Sequence, residues 1–504
     1  MKLLGNVLLP IARRYKWMLR YIVQVVWRWL KTHRTFVRRT VLALYIIVAL
    51  LPAQHSGKGI ALDTFEYHAM LNAWLNHATP DIRLPDRPRG SVWPDIGLYA
   101  SPVNGGVYCW HFWLYALCAV PVRWWLQATG ADPLSAFYIM NRWLFLAVSY
   151  VLLFGSWAPL RRRLLLFVLA TVNVIPLYLW WEGPELWSWS LVLLAFTQFE
   201  RRRYIGAAAL SALAAMQNLP LCFLSMFFAA ASWRHSGWRI RLLATIAALT
   251  SLLPLFFFQA LFGRPSLIAL HGHASPAYMS GWRVWSFFSD VNQGLFFYVP
   301  ALVLLWLVTL IYSFKRRQWM VPAVSLLLLA IVGATSMAVN WNSGCVGLMR
   351  YGVWIVPITA WIVMHGLPQR FVHIRLLAGI AMLQMLLTTA NEFRGPYTHR
   401  PLARWILSEF PAFYNPEPEI FTDRTLTVET WRSQGYPYLP VAFVRQDGTV
   451  AKILTDSQHL PLISRRFKVT PDYEANTLRN PKQRSGLFYL NPPRGEVVER
   501  PRRS

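Results

Sequence analysis

Two short stretches of this chain carry the side chains best able to do chemistry. In 60–68, IALDTFEYH, the residues Asp63, Glu66, Tyr67 and His68 follow closely on an apolar run. In 180–186, WWEGPEL, Glu182 and Glu185 bracket a Gly-Pro turn between two further apolar runs. Carboxylates beside apolar segments are costly unless they are solvated, paired or used. An ionised Asp63 at the edge of a polar cleft can accept a proton from a hydroxyl or an amine. Arg350, followed by Tyr351 in MRYG, offers a permanently charged planar fork for anionic oxygens, with the phenol as a further donor. His111, and His271 with His273 in an HGH triplet, can bind phosphate or sugar hydroxyls. An HxH pair can also ligate a metal, but no third ligand stands at a recognisable spacing, so no metal is expected.

The rest of the composition says where these groups sit. The chain has 504 residues, is 55% hydrophobic and only 14% charged, and holds 26 Trp, 29 Phe and 21 Tyr. Apolar runs of about 20 residues, enough for a hydrocarbon core of about 30 Å, recur over 40–390. Such a chain is expected to be an all-α polytopic membrane protein, rich in interfacial aromatics. The net charge of +28 sits in short clusters between apolar runs, where it orients spans, and no nucleic-acid partner is expected. Cys109, Cys118, Cys222 and Cys345 lack metal-ligand or CxxC spacing and read as packing residues, with a Cys109–Cys345 disulfide the alternative. Residues 1–39 carry ten Lys/Arg and no acid, with no cleavable signal. Residues 1–35 read as a basic amphipathic segment on the anionic cytoplasmic leaflet.

The basic clusters set an expected topology of about eleven spans, with the N-terminus cytoplasmic and the C-terminus external. The spans are 36–53, 137–157, 164–181, 186–199, 205–217, 221–233, 242–262, 294–314, 320–339, 352–364 and 376–390. An external loop covers 54–136; within it, 107–127 is expected to lie in the outer interface as two short helices broken at Pro121. Every acid before residue 391 then faces outward except Glu200, an asymmetry that the positive-inside rule does not demand. Residues 36–391 form the transmembrane domain. Residues 392–504 are Pro-rich and mixed in charge, and read as a small external α+β appendix with strands near 438–444 and 450–454 and a disordered tail from Asn491. There is no internal repeat, P-loop or dinucleotide fingerprint.

The chain resembles the membrane glycosyltransferases of the GT-C fold, such as protein mannosyltransferases and the bacterial aminoarabinose transferase. The likeness rests on LDTFEY at 62–67, WWEGPEL at 180–186, FSDVNQGLFFYVP at 288–300 and NWNSGCVGLMRYGVWIVP at 340–357. Thr64 stands where the family often has a second acid. The resemblance implies a GT-C transmembrane domain with outer-face interfacial helices, in a bacterial inner (plasma) membrane with a periplasmic active site. It implies a metal-independent, inverting transfer from a polyprenyl-phosphate sugar to a glycan, lipid or protein acceptor. Asp63 would be the base. Arg350 and Tyr351 would hold the departing phosphate, while Glu66, Tyr67, His111, Glu182, Glu185, His271 and His273 bind substrate; Arg142 and Arg283 are weaker phosphate candidates. Two alternatives stand beside it. A lipid-linked glycan ligase or polymerase would depend on external arginines more than on a carboxylate base. A lipid or glycolipid flippase would place ionisable groups at mid-span, where few occur.

Overall fold

The computed structural model describes residues 32–51, 63–88, 97–339, 341, 347–390, 395, 397–428, 438–478 and 486–500. Most of the basic segment 1–35, Asp95 and Cys345 lie outside them. Residues 1–53 and 54–504 form separate units. In the first, α1 (Arg34–Leu50) leaves Phe36, Leu44, Ile46, Ile47 and Leu50 exposed.

The second unit is mostly helical. Its helices are α2 (Asp63–His77), α3 (Leu114–Thr129), α4 (Ala136–Phe154), α5 (Leu160–Thr171), α6 (Glu185–Glu200), α7 (Tyr204–Gln217), α8 (Cys222–His235), α9 (Trp238–Leu249) and α10 (Leu253–Phe262). After these come α11 (Gly281–Ser289), α12 (Pro300–Lys315), α13 (Met320–Thr335), α14 (Gly352–Gly366) and α15 (Ile374–Thr389). Fourteen of the fifteen residues of α14 are buried, and this all-round apolar helix is the one that α5, α6, α12 and α13 pack against. Helices α6 to α9 pack successively, and α2 lies on α3. Among the described residues, two helical stretches, Pro133–Phe154 and Trp238–Phe262, are long and apolar enough to cross a membrane. Five further apolar helices are shorter: α7, α12, α13, α14 and α15.

Several expected boundaries change. Segment 107–127 is not two helices broken at Pro121: it opens with a strand, β2 (Val107–Cys109), paired antiparallel to β1 (Leu98–Ala100). It then continues through Pro121 as the single helix α3, which ends at Gly130 in the left-handed conformation. Pro lacks only a donor and its ring needs space on one side, so a bundle helix held by packing tolerates it. The span expected over 164–181 ends at Thr171; Asn173 Oδ1 accepts from Ile175 N at 2.8 Å, turning the chain into a following 3₁₀ turn, Ile175–Trp180. Among the described residues Cys109 is a free, buried thiol; Cys345, the partner considered from sequence, lies outside them.

Beyond α15 the chain forms α16 (Pro401–Glu409), α17 (Pro418–Leu426) and an antiparallel sheet ordered β3 (Val441–Val444), β4 (Val450–Thr455), β6 (Phe488–Leu490). A second pair joins β5 (Phe467–Val469) to β7 (Val497–Glu499). The tail expected to be disordered from Asn491 therefore contains an ordered strand, with Val497 buried against Val450 and Ile463. The stretch reads as polar, but pairing with β5, the buried Val497 and the hydrogen bonds of Arg494 to Asp447 and of Arg500 to Ser464 O dock it.

Arg283 on α11 is fully buried. It donates to Glu417 Oε1 at 3.3 Å, to Glu419, and to the carbonyls of Ser336 and Ala338 at 2.8 and 2.9 Å. It is thus engaged by α17 and the end of α13 and is not the phosphate-binding arginine considered from sequence. Removing one side of a buried ion pair strands the other, typically at a cost of about 3–5 kcal/mol. Arg283→Met is expected to lower the thermal unfolding midpoint of the purified chain markedly; an unchanged midpoint would show that the clamp contributes little.

Candidate active site

Helix α2 begins at Asp63, and Asp63 and Glu66 occupy its first turn, where the unpaired N–H groups and the helix dipole favour negative charge. Glu66, Tyr67 and His68 are buried, whereas the Asp63 side chain keeps 27% of its surface exposed. Opposite stands the turn before α14. Arg350 Nη1 donates to Asp63 Oδ2 at 2.8 Å and Nη2 to Tyr351 Oη at 2.9 Å. Its Nε lies 3.9 Å from Glu185 Oε1, is buried, and has no hydrogen-bond partner among the described residues. Asp63 and Arg350 stand 287 positions apart in sequence, so no local pattern could have paired them.

The second acidic stretch arrives from α6. Glu185 opens that helix, and its Oε2 accepts from Trp181 Nε1 at 2.6 Å. The turn before it is held by Tyr115 on α3, whose hydroxyl donates to the carbonyls of Glu182 and Gly183 at 2.9 and 3.1 Å. Asn141 on α4 in turn donates to Tyr115 Oη at 3.1 Å and to Trp181 O at 3.2 Å. Glu182 lies 3.6 Å from His68 Nε2. Behind Arg350, Tyr178 donates to Leu348 O at 2.7 Å, fixing the strand-like approach to the arginine. Gly347 on the same approach has φ +98°, and a Cβ there would collide with Tyr298 Oη and the Arg400 guanidinium.

The third wall comes from the β1–β2 hairpin. His111 Nδ1 lies 2.8 Å from Glu66 Oε2, and the Tyr67 ring packs 5.5 Å from the His111 ring and edge-on to Tyr115. Gly97, at φ +81°, lets the hairpin approach Glu66: a Cβ would strike that carboxylate and the Trp110 indole nitrogen. His271 stacks on Tyr99 at 3.9 Å and His273 meets Trp110 edge-on at 4.7 Å. Trp110 lies edge-on to His111 at 6.0 Å. The HGH triplet thus supports the outer side of the aromatic wall, while the carboxylates themselves engage other partners.

Asp63, Glu66, Tyr67, His111, Glu185, Arg350 and Tyr351 converge, Glu182 joins them through His68, and His271 and His273 reach only the wall. Sequence reasoning missed Trp110, Tyr115, Asn141 and Tyr178, uncharged groups whose importance comes from buried hydrogen bonds and stacking. Asn141 beside Arg142 in an otherwise apolar helix was the one visible signal. The other acids expected to face outward are structural where they are described. Asp86 binds Asn76 Nδ2, His77 Nε2 and Arg83 N, Asp81 accepts from Val107 N, and Asp290 accepts from Asn292 N, Gln293 N and Tyr414 Oη.

Electrostatics divides the two carboxylates of α2. Burial works against the charge of Asp63, but the charges of Arg350 and His111 and the Arg350 hydrogen bond outweigh it and hold its pKa below the usual value. For Glu66 burial wins over the pull of His111, and its pKa rises to about 7. Burial opposes charge on His111, yet the neighbouring carboxylates, Glu66 foremost, raise its pKa. One ligand atom each of Asp63, Glu66 and His111 lies within 4.8 Å of the others, a spacing able to hold a cation, and the guanidinium of Arg350 on Asp63 is a fixed positive charge beside it. No protein-family model, curated protein or solved structure matches the chain.

The shifts have a sign. Between the ordinary Glu value of 4.5 and about 7 the unfolded chain ionises Glu66 while the folded chain keeps its proton, so stability falls as pH rises through this window. His111, with its raised pKa, also loses stabilisation as pH rises. Asp63, with its lowered pKa, is ionised in both states above its ordinary value and adds no slope there. Unfolding midpoints measured from pH 5 to 8 are expected to decline in the parent chain and to flatten in Glu66→Gln. An equal slope in both chains would contradict the assignment.

Proposed function

We propose that the chain is an integral, multi-pass membrane glycosyltransferase of the GT-C type, with its active site on the external (periplasmic) face of a plasma membrane. It moves a sugar from a polyprenyl-phosphate donor to an acceptor hydroxyl or amine. The observation that carries the reading is the ion pair of Asp63 and Arg350, a partly exposed carboxylate bound to an arginine whose buried Nε has no hydrogen-bond partner among the described residues. Transfer from a lipid phosphate needs a base for the acceptor and a cation for the leaving group, and this pair contains both.

Support for the multi-pass reading comes from the surface. The long apolar stretch Trp238–Phe262, formed by α9 and α10, exposes Leu242, Leu243, Ile246, Leu249, Leu253 and Phe256, and α15, one of the shorter apolar helices, exposes Met382, Met385 and Leu386. Helical surfaces this apolar suit hydrocarbon rather than water. Several of these helices are shorter than a full crossing, and tilt, local thinning or flanking residues would accommodate them.

In the resting site Arg350 depresses the basicity of Asp63. An incoming donor phosphate competes for the guanidinium, and as Arg350 turns to it the Asp63 carboxylate is released as a stronger base. Asp63 then takes the acceptor proton while the acceptor oxygen or nitrogen bonds to the anomeric carbon. The bond from that carbon to the phosphate oxygen breaks, its electron pair leaves on the polyprenyl phosphate, and the single displacement inverts the anomeric centre. Arg350 and Tyr351 stabilise the departing oxygens. Glu185 holds Arg350 from the far side, and Glu66, Tyr67, His111 and Glu182 shape the sugar and acceptor subsites, with His271 and His273 behind the aromatic wall. Charge is balanced by Arg350 and His111, and the transfer is read as metal-independent.

Transfer of labelled sugar from a panel of polyprenyl-phosphate donors tests this. Asp63→Asn is expected to lower the rate by about 10²–10⁴-fold, and a chelator to leave the parent rate unchanged. A retained rate in that variant would remove the base, and dependence on added divalent metal would move the positive charge from Arg350 to a cation held by Asp63, Glu66 and His111.

A further inference from the structure

At the far end of α6 and α14 from Arg350 lies a cavity of about 380 Å³, lined by Arg162, Gln318, Trp319, Met320, Val321 and His365. A helix of sixteen residues separates it from the candidate active site by about 24 Å at 1.5 Å per residue. Its polar side is rich in donors. Arg162 Nε is buried and has no hydrogen-bond partner among the described residues. Glu200 Oε1 accepts from Trp361 Nε1 at 2.9 Å and lies 3.2 Å from His365 Nδ1, so that carboxylate fixes the imidazole that forms part of the wall.

The charge around the cavity is lopsided. Arg161, Arg162 and Arg163 start α5, Arg201, Arg202 and Arg203 follow α6, and Lys315, Arg316 and Arg317 end α12 and lead into its turn. Glu200, the one acid on these turns, is engaged by Trp361 and His365, and its charge also interacts with that of Arg162. The remaining wall is apolar: Met320, Val321 and an indole, Trp319, that is 67% exposed. Donors on one side and a greasy, partly open wall on the other suit an anionic oxygen group attached to an apolar body.

We propose that this cavity is a binding site for a phosphate monoester, held by Arg162, Gln318 and His365, with Trp319 and Met320 against whatever the phosphate is attached to. The same chemistry is offered by a lipid headgroup in the leaflet at this end of the bundle and by a free phosphate compound. The site lies apart from the transfer chemistry and does not require it.

Native mass spectrometry of the full chain in detergent, with no sugar donor present, tests the proposal. Phosphatidic acid is added as the lipid monoester, diacylglycerol as the same lipid without phosphate, and glycerol 3-phosphate as the soluble monoester. One phosphate-bearing ligand is expected to be retained and diacylglycerol not. Arg162→Gln is expected to weaken retention about tenfold or more. Gln318→Leu, at an exposed turn where folding is not at stake, is expected to weaken it less. Retention of phosphatidic acid alone identifies a lipid headgroup; equal retention of glycerol 3-phosphate identifies a free phosphate. Undiminished binding in both variants, binding of diacylglycerol as strong as that of phosphatidic acid, or no retained ligand would overturn the site.

Discussion

One arginine is shared between two carboxylates at the head of the bundle: Asp63 at 2.8 Å and Glu185 at 3.9 Å. Each comes from a different part of the chain. Asp63 begins α2, Glu185 begins α6, and Arg350 stands two residues before α14, the most buried helix. A buried guanidinium is tolerated only when opposite charge and hydrogen bonds offset its desolvation, so these three helix starts are held in one place by the requirements of a single side chain. Around it the structure spends uncharged groups on geometry. Tyr115 and Asn141 set the Glu182–Glu185 turn, Tyr178 sets the approach to Arg350, and the close passage of the hairpin at Gly97 seats His111 on Glu66.

The same physics explains why the two acids of α2 differ although they sit one turn apart. Asp63 is largely buried, but the permanent cation beside it outweighs the desolvation, so ionisation is favoured. Glu66 is fully buried, and its partner is a histidine that can give up its own charge. A carboxylate that stays charged and a carboxylate–imidazole pair that can share a proton are therefore placed side by side, an arrangement suited to separate duties in a proton transfer.

Much of this was legible in the sequence for a simple reason. Ionisable side chains near apolar runs are few, and those at 63–67, 182–185 and 350–351 could hardly be idle. The strands near 441–444 and 450–455 were equally visible from their β-branched and aromatic runs. What the sequence did not give away are relations across distance. Arg283 and Arg350 look alike as outer-end arginines, yet α17 supplies Glu417 and Glu419 to one and α2 supplies Asp63 to the other. Asp290 looks like a candidate acid and is a turn-forming one, satisfied by two backbone amides and Tyr414. Pro121 looks like a break and lies within a continuous helix because packing, not propensity, holds α3. Val497 docks a tail whose composition reads as disordered.

The central claim is that Arg350 is a contested cation, held by Asp63 at rest and surrendered to a lipid phosphate. The most direct measurement is the affinity of polyprenyl monophosphate for the parent chain and for the single and double variants Asp63→Asn and Arg350→Met. Tighter binding in Asp63→Asn, weaker binding in Arg350→Met, and loss of the Asp63 effect once Arg350 is gone are the expected results. Weaker binding in Asp63→Asn, or an Asp63 effect that survives without Arg350, would contradict the claim.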